Sequence, residues 1–110
     1  GVELDDQGCP VSYSQVLTNQ VATGYHVGDG AWGASGQSLS AGYVAVHPGE
    51  IPYGTKMYIT SPDNSFVYGF AIAADTGLSL LGDQIDVDLY YDTYLESCLN
   101  GRRNVNIYIL

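Results

Sequence analysis

Positive charge is nearly missing from this chain. Three Lys and Arg stand against twelve Asp and Glu, a net charge of -9 over 110 residues. That balance excludes the basic face a nucleic-acid binder needs to meet phosphates, and it disfavours an anionic membrane for the same reason. A neutral or cationic polymer is the partner it suits. No apolar run approaches the roughly 20 residues of a bilayer span, so membrane insertion is not expected. The opening Gly1-Val2-Glu3-Leu4-Asp5-Asp6 has no apolar signal core. Either a signal peptide has been removed, or this is a domain of a longer protein that carries other domains.

Cysteine is equally scarce: Cys9 and Cys98 lie near opposite ends, and the two histidines, His26 and His47, are apart. A zinc site of the usual Cys/His type is therefore not available, and neither a metal nor an organic cofactor is expected. Pairing the cysteines would close almost the whole chain, worth about 4–5 kcal/mol in the chain-entropy view. An extracellular disulfide tying residues 1–20, read as an N-terminal lead-in whose first eight residues are acidic, to a domain over residues 21–110 is the expectation. Two unpaired buried thiols are the alternative.

What is abundant is glycine (14), tyrosine (10) and apolar residues (45%), the mix of one turn-rich β domain. Period-2 alternation predicts strands at Val21–Val27, Tyr43–Val46, Lys56–Thr60, Ser65–Ala74, Gln84–Tyr90 and Arg103–Leu110. Pro10 to Leu17 is weakly patterned and reads as a turn or a single helical turn. Thr93-Tyr94-Leu95-Glu96 has the form of a capping box, and Gly101 can end the helix it starts. Leu95, Cys98 and Leu99 share one face of that helix. Six short strands and one helix predict a mainly β fold, a small closed barrel.

Chemistry concentrates between Phe70 and Leu89. An apolar strand ends in Asp75-Thr76-Gly77, a glycine-bounded loop follows, and the next strand sets Asp86 and Asp88 on the face opposite Ile85, Val87 and Leu89. Two carboxylates delivered by a strand end and a neighbouring strand suit acid/base work. Asp-Thr-Gly alone would also suit a retroviral-type aspartic protease, but only 33 residues follow Gly77, too few for the flap and remaining fold. Asp88 reads as a residue on a solvated strand face, and His26 as a strand-surface residue.

Five segments form an ordered series: Gly33-Ala34-Ser35-Gly36, Gly42 to Pro48, Ile51-Pro52-Tyr53-Gly54-Thr55, Ala74 to Gly77, and Gly82 to Val87. The series resembles the 3D (three-aspartate) domain of bacterial cell-wall proteins. That family is similar to membrane-bound lytic transglycosylase A, and to rare lipoprotein A and the expansins. The resemblance covers roughly residues 22–109 and implies a six-stranded double-psi β-barrel located outside the cell or at the bacterial cell wall. It also implies lytic transglycosylase activity on peptidoglycan glycan strands. The alternative within the same resemblance is a non-catalytic, expansin-like glycan-binding module.

Carried over by position, the resemblance makes Asp86 the acid/base and Asp75 the second carboxylate, which helps Asp86 keep its proton or orients it. The two are expected to share one groove with His47 close by. His47 stands where the family has its first aspartate, as a base or a hydrogen-bonding spacer. Leu78 and Leu81 stand where it usually has Gly and Lys. Ser35 and Thr55 would bond the sugar or the aspartates, with Thr76 and Gly77 completing the Asp75 turn. Trp32 and Tyr53 would stack on a pyranose ring, although Trp32 equally suits a core. Lys56 would contact substrate or simply carry surface charge.

Overall fold

A computed structural model describes residues 2–110. Six strands, β1 (Gln15–Tyr25), β2 (Tyr43–Val46), β3 (Lys56–Thr60), β4 (Val67–Asp75), β5 (Val87–Tyr90) and β6 (Arg103–Ile109), close into one barrel. Their order around it is β1-β5-β2-β4-β3-β6. β1 with β5 and β2 with β4 run parallel, and the other four neighbouring pairs are antiparallel. This is the double-psi arrangement, and neither parallel pair is made of strands consecutive in the chain.

Alternation fills the inside. Val44 and Val46, Met57 and Ile59, Ala71 and Ala73, Val87 and Leu89, and Val105 and Ile107 all turn inward and are buried. Each fully buried large aliphatic contributes about 1.5–3 kcal/mol of hydrophobic stabilisation. β2 and β3 fall where the sequence pattern puts them. β1 begins earlier, at Gln15 rather than Val21. Its register against β6 shifts between Leu17 and Gln20, and Asn19 takes a positive φ of 52°. That irregularity hides the strand from a period-2 reading.

Among the described residues there are two short helices rather than one. α1 (Leu78–Leu81) forms within the stretch that reads as a loop, anchored by Leu80, which is buried against Ala45 and Ile85. α2 (Tyr94–Asn100) is the capped helix: the Thr93 hydroxyl accepts from the Glu96 N–H at 3.2 Å and donates to the Glu96 carboxylate at 2.9 Å. Gly101 ends it at φ 59°, a backbone that glycine takes without strain. The helix docks by its polar side. Ser97 and Asn100 are buried, Asn100 accepts from the Tyr91 hydroxyl, and Leu95 and Leu99 face outward. Among the described residues no helix is long and apolar enough to cross a membrane.

The docking needs a glycine on β1. A Cβ at Gly24 would stand 2.8 Å from the Ser97 carbonyl oxygen and 2.9 Å from the Asn100 Cβ. Gly24→Ala is expected to push α2 off the barrel and cost about 1–3 kcal/mol, read as a lowered Tm in a thermal melt.

The expected disulfide is absent: Cys9 and Cys98 are both free. The Cys9 thiol is held by the Asn64 amide (3.2 Å) and the Tyr108 hydroxyl (3.5 Å), and Tyr108 pairs with Val16 early in β1. Cys98 is exposed on α2, which sits on Gly24 near the far end of that strand. The stretch from Val16 to Gly24 spans about 25 Å, whereas a disulfide needs Cα atoms within about 7 Å. A thiol reagent is expected to titrate both cysteines, Cys98 first, and reduction is expected to leave Tm unchanged.

Candidate functional site

The outer wall of the barrel carries the carboxylates. On β5 the inward Val87 and Leu89 send Asp88 outward, and Asp86, just ahead of the strand, follows the same alternation. β4 needs a correction to reach that wall. Alternation from Ala71 and Ala73 would turn Asp75 into the core. Instead the register against β2 shifts, Val44 facing Ala73 and Ala45 facing Asp75, so that one extra residue is accommodated. Such a bulge re-aims the side chain that follows it, and Asp75 emerges outside.

Ala45 thus has Asp75 of β4 on one side and Asp88 of β5 on the other. Two sheet spacings put their Cα atoms about 10 Å apart. Tyr25 of β1 reaches over them. Its hydroxyl donates to Asp75 Oδ2 at 3.0 Å, while the Ala34 N–H donates to Asp75 Oδ1 at 2.8 Å. Burial, then the charge of Asp75, holds the Tyr25 phenol protonated far above its ordinary range. The Tyr25 ring packs edge-on against Tyr90, centroids 5.1 Å apart.

Asp88 is not a solvated strand residue. It is half-buried and accepts from the Thr23 hydroxyl at 2.9 Å. Burial raises its pKa, the Thr23 bond opposes the rise, and Asp75 adds to it. A carboxyl whose folded-state pKa lies above the unfolded value stabilises fully below the unfolded pKa and loses that contribution as pH rises through the folded one. Asp88→Asn keeps the acceptor for Thr23 without the charge. It is expected to raise Tm relative to wild type at pH 7, with the gap closing as pH falls to about 4, measured by melts across pH.

Asp86 faces somewhere else. Its Oδ2 accepts from the Val21 N–H at 2.8 Å, and it lines a cavity of about 550 Å³ at the mouth of the barrel. The polar lining is Asp86, Glu50, Thr55, Gln15 and Gln20. Leu17, Ile51, Pro52 and Ile109 supply an aliphatic wall. Barrel mouths with an apolar wall and a few convergent polar groups are common small-ligand sites. Asp75 is not among the lining residues.

The remaining sequence candidates distribute around these two centres. The β2–β5 register pairs Ala45 with Asp88 and Val46 with Val87, so His47 and Asp86 lie just beyond the ends of the paired strands. His47 organises the turn into β3: Nδ1 accepts from the Gly49 N–H at 3.1 Å, and its carbonyl accepts from Glu50 and Ile51, each at 2.9 Å. Thr55 lines the cavity and donates to the Pro52 carbonyl at 2.6 Å. Ser35 donates to the Ala74 carbonyl at 2.6 Å, fastening the loop that carries Ala34 next to Asp75. Gly33 permits that contact, since a Cβ there would come within 2.3 Å of the Ala74 oxygen.

Thr76 buries its hydroxyl oxygen without a hydrogen-bond partner among the described residues, and Gly77 caps α1 in an extended conformation. Trp32 is 68% exposed and Tyr53 38%, so Trp32 belongs to the surface rather than the core. Lys56 opens onto a separate depression with Val2, Phe70 and Leu110. The pattern singled out none of Glu50, Gln15, Gln20, Thr23 or Tyr25 as site residues. Among the described residues no group of three or more acids, histidines or cysteines is arranged to hold a metal ion.

Comparison with known proteins matches residues 42–110 to the family described as 3D domain. A stretch of 71 residues is 37% identical to the "Putative cell wall shaping protein YabE" of Bacillus subtilis (strain 168). That stretch is 64% of this chain but 16% of that protein, so the chain spans about a sixth of the curated relative it matches.

Proposed function

The chain belongs to the 3D domain family, and from that premise we propose that it is a peptidoglycan lytic transglycosylase working at or outside the bacterial cell wall, with Asp86 as its acid/base. The relative's name, a cell wall shaping protein, supports a role on the wall polymer. The observation that carries the reading is the placement of Asp86. One carboxylate oxygen is fixed by the Val21 N–H, and the carboxyl opens onto a cavity large enough for sugar rings.

The chemistry asks for one carboxyl that gives and then takes a proton. Asp86 protonates the oxygen between N-acetylmuramic acid and N-acetylglucosamine, and the C1–O bond breaks to release the N-acetylglucosamine 4-hydroxyl. The muramic C6 hydroxyl then closes on C1, its proton passes to the Asp86 carboxylate, and a 1,6-anhydro ring forms with no water consumed. Thr55 and the two glutamines offer hydrogen bonds to hydroxyls and acetamides, and the exposed Tyr53 and Trp32 offer rings for stacking. Asp75 supports the site from the same outer wall by fastening the Ala34 loop and Tyr25.

One observation favours the non-catalytic glycan-binding reading: Asp75 is bound to Tyr25 and Ala34 and does not line the cavity of Asp86. Digestion of purified peptidoglycan followed by mass spectrometry separates the two. Wild type is expected to release anhydro-muramyl products, and Asp86→Asn to lose at least about 100-fold in rate. Reducing-end products would mean a hydrolase instead, and binding without any product would mean a glycan-binding module.

A further inference from the structure

We propose that Glu50 makes the barrel-mouth cavity selective for glycans that carry an ammonium group, an inference that rests on the cavity being the glycan site. Only two lining side chains titrate, Glu50 and Asp86, and both are acids; no Lys, Arg or His joins them. None of the chain's three Lys and Arg lines the cavity. Lys56 opens onto a different depression, and Arg103 lies over the Phe66 ring at 3.9 Å while its Nε donates to the Asn100 carbonyl. The cavity therefore presents uncompensated negative charge on a chain already at -9.

The acceptors are also free to be used. Glu50 is fixed through its backbone, whose N–H donates to the His47 carbonyl at 2.9 Å, and its carboxylate accepts no hydrogen bond among the described residues. Asp86 spends one oxygen on Val21 and leaves the other. Gln20 donates its amide nitrogen to the Thr18 carbonyl at 2.9 Å, which leaves its amide oxygen as an acceptor. An ammonium brings three donors and a positive charge to such a set, whereas an acetamide brings one N–H and no charge. Two carboxylates and one amide oxygen suit an ammonium better than a bare metal ion, which takes more oxygen ligands.

The ammonium has two sources in a cell-wall glycan: a de-N-acetylated glucosamine, or the side-chain amine of a diamino acid in a peptide stem. The shared chemistry is the same, and the ligands tell them apart. The probes are glucosaminyl-muramic acid disaccharides, which lack the bond that a lytic transglycosylase cuts. They are prepared with the glucosamine free or acetylated, and with a stem whose diamino-acid amine is free or acetylated. Binding of each to the wild-type chain and to Glu50→Gln is measured by calorimetry at 20 mM and 500 mM NaCl.

Wild type is expected to bind one ammonium form about tenfold more tightly than its acetylated counterpart at low salt. High salt is expected to shrink that preference, and Glu50→Gln to abolish it. Whichever amine gives the preference identifies the source. Equal affinity for free and acetylated forms, or a preference that survives Glu50→Gln, overturns the role of Glu50 while leaving the glycan site standing. No binding of any form to either protein overturns the glycan site and this inference together.

Discussion

A single extra residue in β4 decides where the chemistry of this barrel can sit. Without the register shift beside Ala45, Asp75 would continue the inward row of Ala71 and Ala73 and bury a charge among aliphatic side chains. Burying an unpaired carboxylate there would be prohibitive. With it, the carboxylate lands on the outer wall, where a phenol and a backbone N–H already wait. The bulge therefore joins two needs that conflict in a regular strand: a dry interior, and an acidic group at the strand's end.

The outer wall then divides into two acidic centres with different characters. Asp75 and Asp88 flank Ala45, roofed by Tyr25 and packed beside Leu80, and their hydrogen bonds are all internal. Asp86 and Glu50 look into open space at the barrel mouth. The first pair shapes the wall and fastens the loop that carries Ala34; the second is available to a ligand. Three aspartates drawn from one short stretch of chain thus do separate jobs because adjacent strands surround each differently.

The parts of this arrangement that were legible in the sequence are those governed by neighbours in the chain. β2 and β3 alternate cleanly, and the Thr93 cap with its Glu96 partner needs only four residues, so both follow from local pattern. The outward placement of Asp86 follows from Val87 and Leu89 in the same way. What was not legible depends on partners far along the chain. Asp88 looks solvated until Thr23, 65 positions away, is set beside it by the parallel β1–β5 pairing. Glu50 gains meaning only when its turn meets Gln15 and Gln20 of β1. The cysteines look like a pair on a line of residues and lie at opposite ends of the first strand once the barrel closes. The apolar stripe of α2 was visible, yet the glycine that invites its polar side inward lies on another strand.

Closure of this barrel also sets the order in which the chain can acquire its shape during synthesis. β1 has no neighbours except β5 and β6, the last two strands to be made. Its row of unpaired amides must wait while most of the domain leaves the ribosome, and only the pairings of β4 with β3 and with β2 can form before β5 appears. Non-local pairings of this kind fold slowly. Any protein carrying this domain must therefore keep an unfinished sheet edge from foreign strands until Ile109 has emerged.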